Sequence, residues 1–184
     1  MAKKVDDSVL DAALDALKNN CNMMTACAGE PASYAEGVEP AAWQASTAYG
    51  LGEVVRPVTR NGFNYECTTA GTSGASEPTW PTTPGTTVND GTVVWTARTA
   101  RQLADVAMSG TDFTHADGDT SGRKTTVGSK SGITVDASGT ADHVALLDTT
   151  NRTLLYVTTA TSQVLTAGNT LTINAWDVEI ADPS

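Results

Sequence analysis

The chain has 184 residues, enough for one ordinary domain or two small ones, with 40% hydrophobic and 17% charged residues. Thirty threonines and 16 glycines, beside only 11 Lys and Arg, favour strands and turns over helices, and the charge is too sparse for a disordered chain. A formal charge of −10 excludes the basic footprint of a nucleic-acid binder, and no apolar run reaches the roughly 20 residues of a membrane-spanning helix.

The opening stretch MAKKVDDSVLDAALDAL lacks the uninterrupted apolar core of a signal peptide, so assembly in a cytoplasm is expected. Val9, Ala13, Leu14 and Leu17 recur at helical spacing. Asp6, Asp7 and Ser8 supply caps and dipole partners at the start of this helix, and Asn19-Asn20 ends it. Met23 to Ala28 reads as a short strand and Gly29-Glu30-Pro31 as a turn. Three cysteines, Cys21, Cys27 and Cys67, cannot form a disulfide framework. Cys21 and Cys27 can pair in an oxidising compartment, but buried or incidental free thiols are expected.

The composition changes at about residue 42 and again at about 98. Between these points stand Trp43, Tyr49, Phe63, Tyr65, Trp80 and Trp95, together with Pro57, Pro78, Pro81 and Pro84. Four acids and three bases there leave a charge of −1, so the remainder carries −9. A shift at both ends of one segment predicts a small module, residues 42–98, inserted into a host domain of residues 1–41 plus 99–184. Within it Val54-Val55, Phe63 to Cys67 and Val93 to Trp95 read as strands, and Asn61-Gly62 as a hairpin turn. So small a module buries little surface, and its three Trp residues are the expected source of its core.

Beyond the insert the expected strands are Arg101 to Met108, Arg123 to Ser129, Ser131 to Val135, His143 to Asp148 and Leu154 to Thr159. The last is Thr170 to Ile180, alternating through Leu171, Ile173, Trp176, Val178 and Ile180, with a phase slip near Asn174-Ala175 read as a bulge. Turns every few residues predict a mainly β chain. It is an antiparallel β-sandwich with one N-terminal helix, carrying an inserted all-β module.

Catalytic chemistry has little to work with. The two histidines, His115 and His143, lie in no recognisable motif, and no carboxylate pair is evident, so no enzyme activity and no cofactor are expected. Asp117-Gly118-Asp119-Thr120-Ser121-Gly122 matches the first half of a calcium loop, but the twelfth position is Gly128 instead of Glu. A hairpin loop with Asp side chains capping its own backbone is expected there, with no metal.

The aromatic segment carries the most specific signal. Trp43 opens it, and Tyr49 leads through Gly52 into Val54-Val55. Asn61-Gly62-Phe63-Asn64-Tyr65 follows, then Ala70-Gly71-Thr72-Ser73-Gly74, Glu77-Pro78-Thr79-Trp80-Pro81 and Asp90-Gly91 with Trp95 to close. Over 57 residues this resembles the small chitin-binding and cellulose-binding-like modules of bacterial hydrolases, and more closely the version carried by tailed-phage virion proteins. The resemblance implies glycan contacts from the aromatic set Trp80, Tyr49, Trp43, Tyr65 and Trp95. In hydrolase modules exposed aromatics follow the central Tyr strand, and here Thr68-Thr69-Ala70-Gly71 take that place. Trp43, Tyr65 and Trp95 therefore read most simply as core, and Trp80, between Pro78 and Pro81, as either an exposed contact or a lid folded over that core.

The flanks also resemble a family. A-A-L-D-A-L, C-A-G-E-P-A-S-Y-A-E, D-G-D-T-S-G-R-K, H-V-A-L-L-D and L-Y-V-T-T are similar to stretches of short proteins encoded among the structural genes of tailed phages, including capsid-decorating proteins. The resemblance implies a virion-surface protein that binds the major capsid protein and forms a symmetric homo-oligomer, a trimer being one arrangement. Leu10, Leu14, Leu17, Leu146, Leu154 and Tyr156 are the expected oligomer or capsid contacts. A tail-tip or fibre component binding host-surface polysaccharide is the alternative that the same resemblance allows.

Overall fold

The computed structural model describes residues 5–183. Helix α1 (Asp7–Asn20) starts where Asp6 accepts a hydrogen bond from the Ser8 amide, and Lys18 in its last turn complements the dipole. It buries Leu10, Leu14 and Leu17, whereas Val9 is 58% exposed and Ala13 is exposed. The apolar stripe is thus one position further round than the spacing of Val9 and Ala13 suggests, because the i, i+4, i+7 leucines bury more surface than Val and Ala. Strand β1 (Met23–Cys27) follows, then a one-turn helix α2 (Tyr34–Gly37) that the sequence reading lacked.

Seven strands come next: β2 (Ala48–Tyr49), β3 (Val54–Val55), β4 (Phe63–Thr69), β5 (Gly71–Thr72), β6 (Thr87–Asp90), β7 (Val93–Thr99) and β8 (Gln102–Ala107). The remaining strands are β9 (Phe113–Asp117), β10 (Arg123–Val127), β11 (Lys130–Thr134), β12 (Gly139–Asp148), β13 (Thr153–Leu165), β14 (Thr170–Ile173) and β15 (Trp176–Ile180). The long hairpin β12–β13 extends well beyond the His143–Asp148 and Leu154–Thr159 strands expected. Strand β9 went unforeseen because Thr114, His115, Ala116 and Asp117 show little apolar alternation. The Thr170–Ile180 segment is not one bulged strand. It breaks at Asn174-Ala175, and β14 pairs with β11 while β15 pairs with β10.

These strands build an antiparallel β-sandwich. One layer is β13-β12-β1-β8, and the other consists of two smaller sheets, β15-β10-β9 and β11-β14. Leu14 and Leu17 of α1 join Met24, Val144 and Leu146 from the first layer and Phe113, Val127 and Val178 from the second. A second cluster, Ala26, Leu103, Ala104, Ala141 and Leu165 against Ile133, Val135, Leu171 and Ile173, continues the core toward the β11–β14 end. Strand β1 is central and came from a stretch 75 or more positions away from its partners, Val144 to Leu147 on one side and Ala104 to Ala107 on the other.

Strands β3-β4-β7-β6 form one sheet and β2-β5 another, and none of these pairs with the sandwich sheets. Trp43, Val55, Tyr65, Cys67, Val93, Trp95 and Ala97 fill a third core, which contains no residue of the sandwich. A polar seam joins the two bodies. Buried Asn64 of β4 donates to the carbonyls of Ala35 (2.8 Å) and Val38 (3.1 Å), and Arg56 and Arg60 hold Glu39. On the other flank Arg152 donates to the Leu51 carbonyl at 2.9 Å and to Glu53 at 3.0 Å.

Candidate functional site

The five aromatic candidates do not share one exposed face. Trp43, Tyr65 and Trp95 are buried, and their rings make the third core. The Tyr49 ring meets Trp95 edge-on at 4.9 Å. Trp80 is half-buried and lies on Tyr65 with ring centroids 4.1 Å apart, in the lid position. Its indole N–H donates to Glu77 Oε1 at 2.8 Å, and the same oxygen accepts from the Val58 amide, so the proline-flanked loop is clasped down. Nothing in the spacing of the aromatics pointed to Asp90, a buried carboxylate that accepts from Trp43 Nε1 at 2.7 Å and Trp95 Nε1 at 3.0 Å.

Of the five, Tyr49 alone also lines a cleft at the foot of the sandwich. That cleft has a volume of about 470 Å³ and lies in the angle between the two bodies. Tyr34 and Val38 form the sandwich side, Gln44, Tyr49 and Glu53 the other, and Arg152 reaches across to close it. Burial pushes the Tyr34 and Tyr49 phenols above their ordinary range, so both stay protonated at neutral pH. The Tyr49 hydroxyl oxygen accepts from the Gln44 amide at 2.9 Å, which leaves its proton free to donate. With Arg152 and Glu53 paired, the cleft offers hydroxyls, an amide and a neutralised ion pair on an apolar floor, a lining suited to a neutral, polyhydroxylated ligand. Tyr34 and Arg152 were not singled out from sequence, since each becomes part of the cleft only when distant segments meet.

The leucine candidates point inward. Leu14, Leu17 and Leu146 belong to the core of the chain's own sandwich and Leu10 is buried on the same helix, so within one copy they serve packing. Leu154 and Tyr156 are half-buried on β13, the edge strand of the larger sheet, where Tyr156 stacks on Trp176 with ring centroids 5.7 Å apart. Cys21, Cys27 and Cys67 are buried free thiols.

Among the described residues, no nucleophile and base come together around the histidines. His115 Nε2 lies 3.0 Å from Asp15 on the helix seam, and His143 Nδ1 lies 2.7 Å from Asp142. In the Asp-rich loop, Asp117 pairs with Arg123 and Asp119 with Lys124, so neighbouring cations already occupy these carboxylates. A carboxylate pair unseen in the sequence is formed by Asp105 and Asp136, which share the amide of Gln102 at 3.4 and 3.0 Å but do not line the cleft. Comparison with protein-family models, with curated proteins and with solved structures gives no match for this chain.

Proposed function

We propose that the chain is a structural protein of a tailed-phage particle, a capsid decoration or cement protein. In this reading the sandwich binds the major capsid protein at the virion surface and the tryptophan-bearing unit projects outward. The observation that carries the reading is the division of the chain into two bodies, each with a core of its own and joined by a polar seam. A docking platform with a displayed module needs that construction, since the module can be added at a loop without disturbing the platform. The family resemblance of the flanks supports the same conclusion. Interface laid across capsomer joints opposes the internal pressure of packaged DNA, and an acidic protein is kept off that DNA. Quantitative mass spectrometry and electron microscopy of the particle test this. Hundreds of copies on the head are expected, and absence from the particle overturns the reading.

The cleft favours a second reading, an adhesion component of a tail tip or fibre that binds host-surface polysaccharide. Its two free-sided Tyr hydroxyls, Gln44 and the Arg152–Glu53 pair match a sugar better than they match an ion. Only a few copies per particle are then expected, and a pull-down on cell-surface polysaccharide should lose at least tenfold on Tyr49→Ala. Equal retention of wild type and variant removes this reading.

A further inference from the structure

The two bodies meet on two flanks that differ in kind. On one, the chain crosses twice beside α2, which packs against β4 and β7. At the first crossing the Val38 amide still bonds the Tyr34 carbonyl of α2, and the Ala41 carbonyl already accepts from Arg56, so Glu39-Pro40 carries the change of body. At the second, the Ala100 amide bonds Gly62 of the smaller body and the Arg101 amide bonds Glu36 of α2, so the change falls between adjacent residues. Asn64, bonded to Ala35 and Val38, pins this same flank. The other flank depends on Arg152. Among the described residues it is the one sandwich side chain that hydrogen-bonds the smaller body away from the crossings, at the Leu51 carbonyl and at Glu53.

The backbone of Arg152 is strained. Its φ is +54°, a left-handed conformation that glycine adopts freely and arginine does not. The turn holds it there all the same. Buried Asp148 accepts from the amides of Thr150 and Asn151, both at 2.9 Å, and Asn22 Oδ1 accepts from the Thr149 amide at 2.9 Å. A strained residue kept in an over-determined turn points to a task for its side chain. The receiving side is fixed as well, because Glu53 Oε2 accepts from the Gly50 amide at 2.9 Å while Oε1 accepts from Arg152. Yet the side chains of Arg152 and Glu53 are 39% and 37% exposed, so water and salt compete for the pair. Two prepared halves joined by a weak bond make a contact that can break and re-form.

We infer that Arg152 is a releasable latch and that the flank at α2 is its hinge. With the latch made, Arg152 spans the mouth of the cleft that Tyr34 and Tyr49 line. With it broken, the smaller body turns about Glu39-Pro40 and Ala100-Arg101, and the cleft widens. Ionic strength sets the balance between the two states, since screening weakens the one ion pair on the latch flank and leaves the buried Asn64 bonds in place. The device rests on the geometry of the seam and on neither reading of the protein's role.

The test measures the distance between the bodies in the full chain by pulsed dipolar spectroscopy. Spin labels go on Ala45→Cys in the smaller body and Ser162→Cys in the sandwich, both at exposed positions. One distance should dominate at low salt, and a second, longer one should grow at about 1 M NaCl, where the screening length is about 3 Å. Arg152→Gly is the decisive variant, because it relieves the turn while removing the latch. It should raise the longer population roughly fivefold at low salt and abolish the salt response. The urea midpoint of its far-ultraviolet circular dichroism transition should hold or rise. Glu53→Gln keeps the bond to the Leu51 carbonyl and should fall between wild type and Arg152→Gly. A single unchanged distance in Arg152→Gly overturns the proposal. So does a salt response that persists undiminished in that variant, or a lowered midpoint, which would show that the arginine serves the turn and not the seam.

Discussion

Asp90 shows how a single side chain organises the smaller body. Its Oδ2 accepts from both indoles, and its Oδ1 accepts from the Gly74 amide at 2.7 Å. The turn that follows needs Gly91, because φ is +60° there and a Cβ would stand 2.3 Å from the Thr72 carbonyl oxygen. Asparagine at position 90 has one acceptor oxygen, so whichever way its amide turns, its NH₂ meets an N–H. Asp90→Asn should therefore destabilise the unit by about 2–4 kcal/mol, read by urea unfolding followed through tryptophan fluorescence. An unchanged midpoint would show that the indole bonds add nothing beyond packing. The thiols give a second test at this scale. Burial raises Cys21 and Cys27 to about 11 and Cys67 in the same direction, so the reactive thiolate is scarce at pH 8. Iodoacetamide should label none of the three in the native protein and all three after denaturation. Rapid native labelling of Cys21 or Cys27 would contradict the burial.

At the scale of elements, legibility followed local chemistry. The start of α1 could be read from Asp6 and Ser8 because a cap depends on neighbours two residues apart. Its buried face was misread at Val9, since facing residues decide which of two adjacent stripes is covered. The β14–β15 break was visible as a slipped phase at Asn174-Ala175, but a bulge and a change of sheet look alike until the partners, Leu171 with Ile133 and Val178 with Thr125, are known. The Asp105–Asp136 pair was illegible for the same reason. It exists because Val135 bridges to Ala104 and the Asp136 and Ala137 amides both bond the Leu103 carbonyl, latching the edge of β8. Burial first, then the charges of Asp136 and Glu39, raises Asp105 from 3.8 to about 6. Between those values the folded chain holds a proton that the unfolded chain has lost, so this site loses stability as pH rises from about 4 to 6. Asp105→Asn keeps the neutral shape at every pH. The melting temperature of the variant should gain on wild type across that window and level off above it. A constant difference from pH 4 to 7 would remove Asp105 as the titrating group.

For the whole molecule, the aromatic and charge asymmetry marked out a segment of the chain, but the cleft with Tyr34 and Arg152 arises only from how the two bodies meet. Their separate cores have a thermodynamic consequence. Contacts across the seam are a few hydrogen bonds and partly exposed ion pairs, and such pairs contribute roughly 0–1 kcal/mol each. That is too little to force two cores to melt together. Three of the four tryptophans, Trp43, Trp80 and Trp95, belong to the smaller body and only Trp176 to the sandwich, so fluorescence reports mainly on the one. Leu14→Ala empties a fully buried site where α1 meets the sandwich and should cost about 2–5 kcal/mol there. The far-ultraviolet circular dichroism transition, to which the sandwich strands contribute most, should then fall to lower urea while the fluorescence transition moves much less. Val9→Ala, on the exposed side of the same helix, should move neither. If Leu14→Ala shifts both transitions equally, the seam couples the bodies into one cooperative unit, and the smaller body is no longer free to be stable on its own.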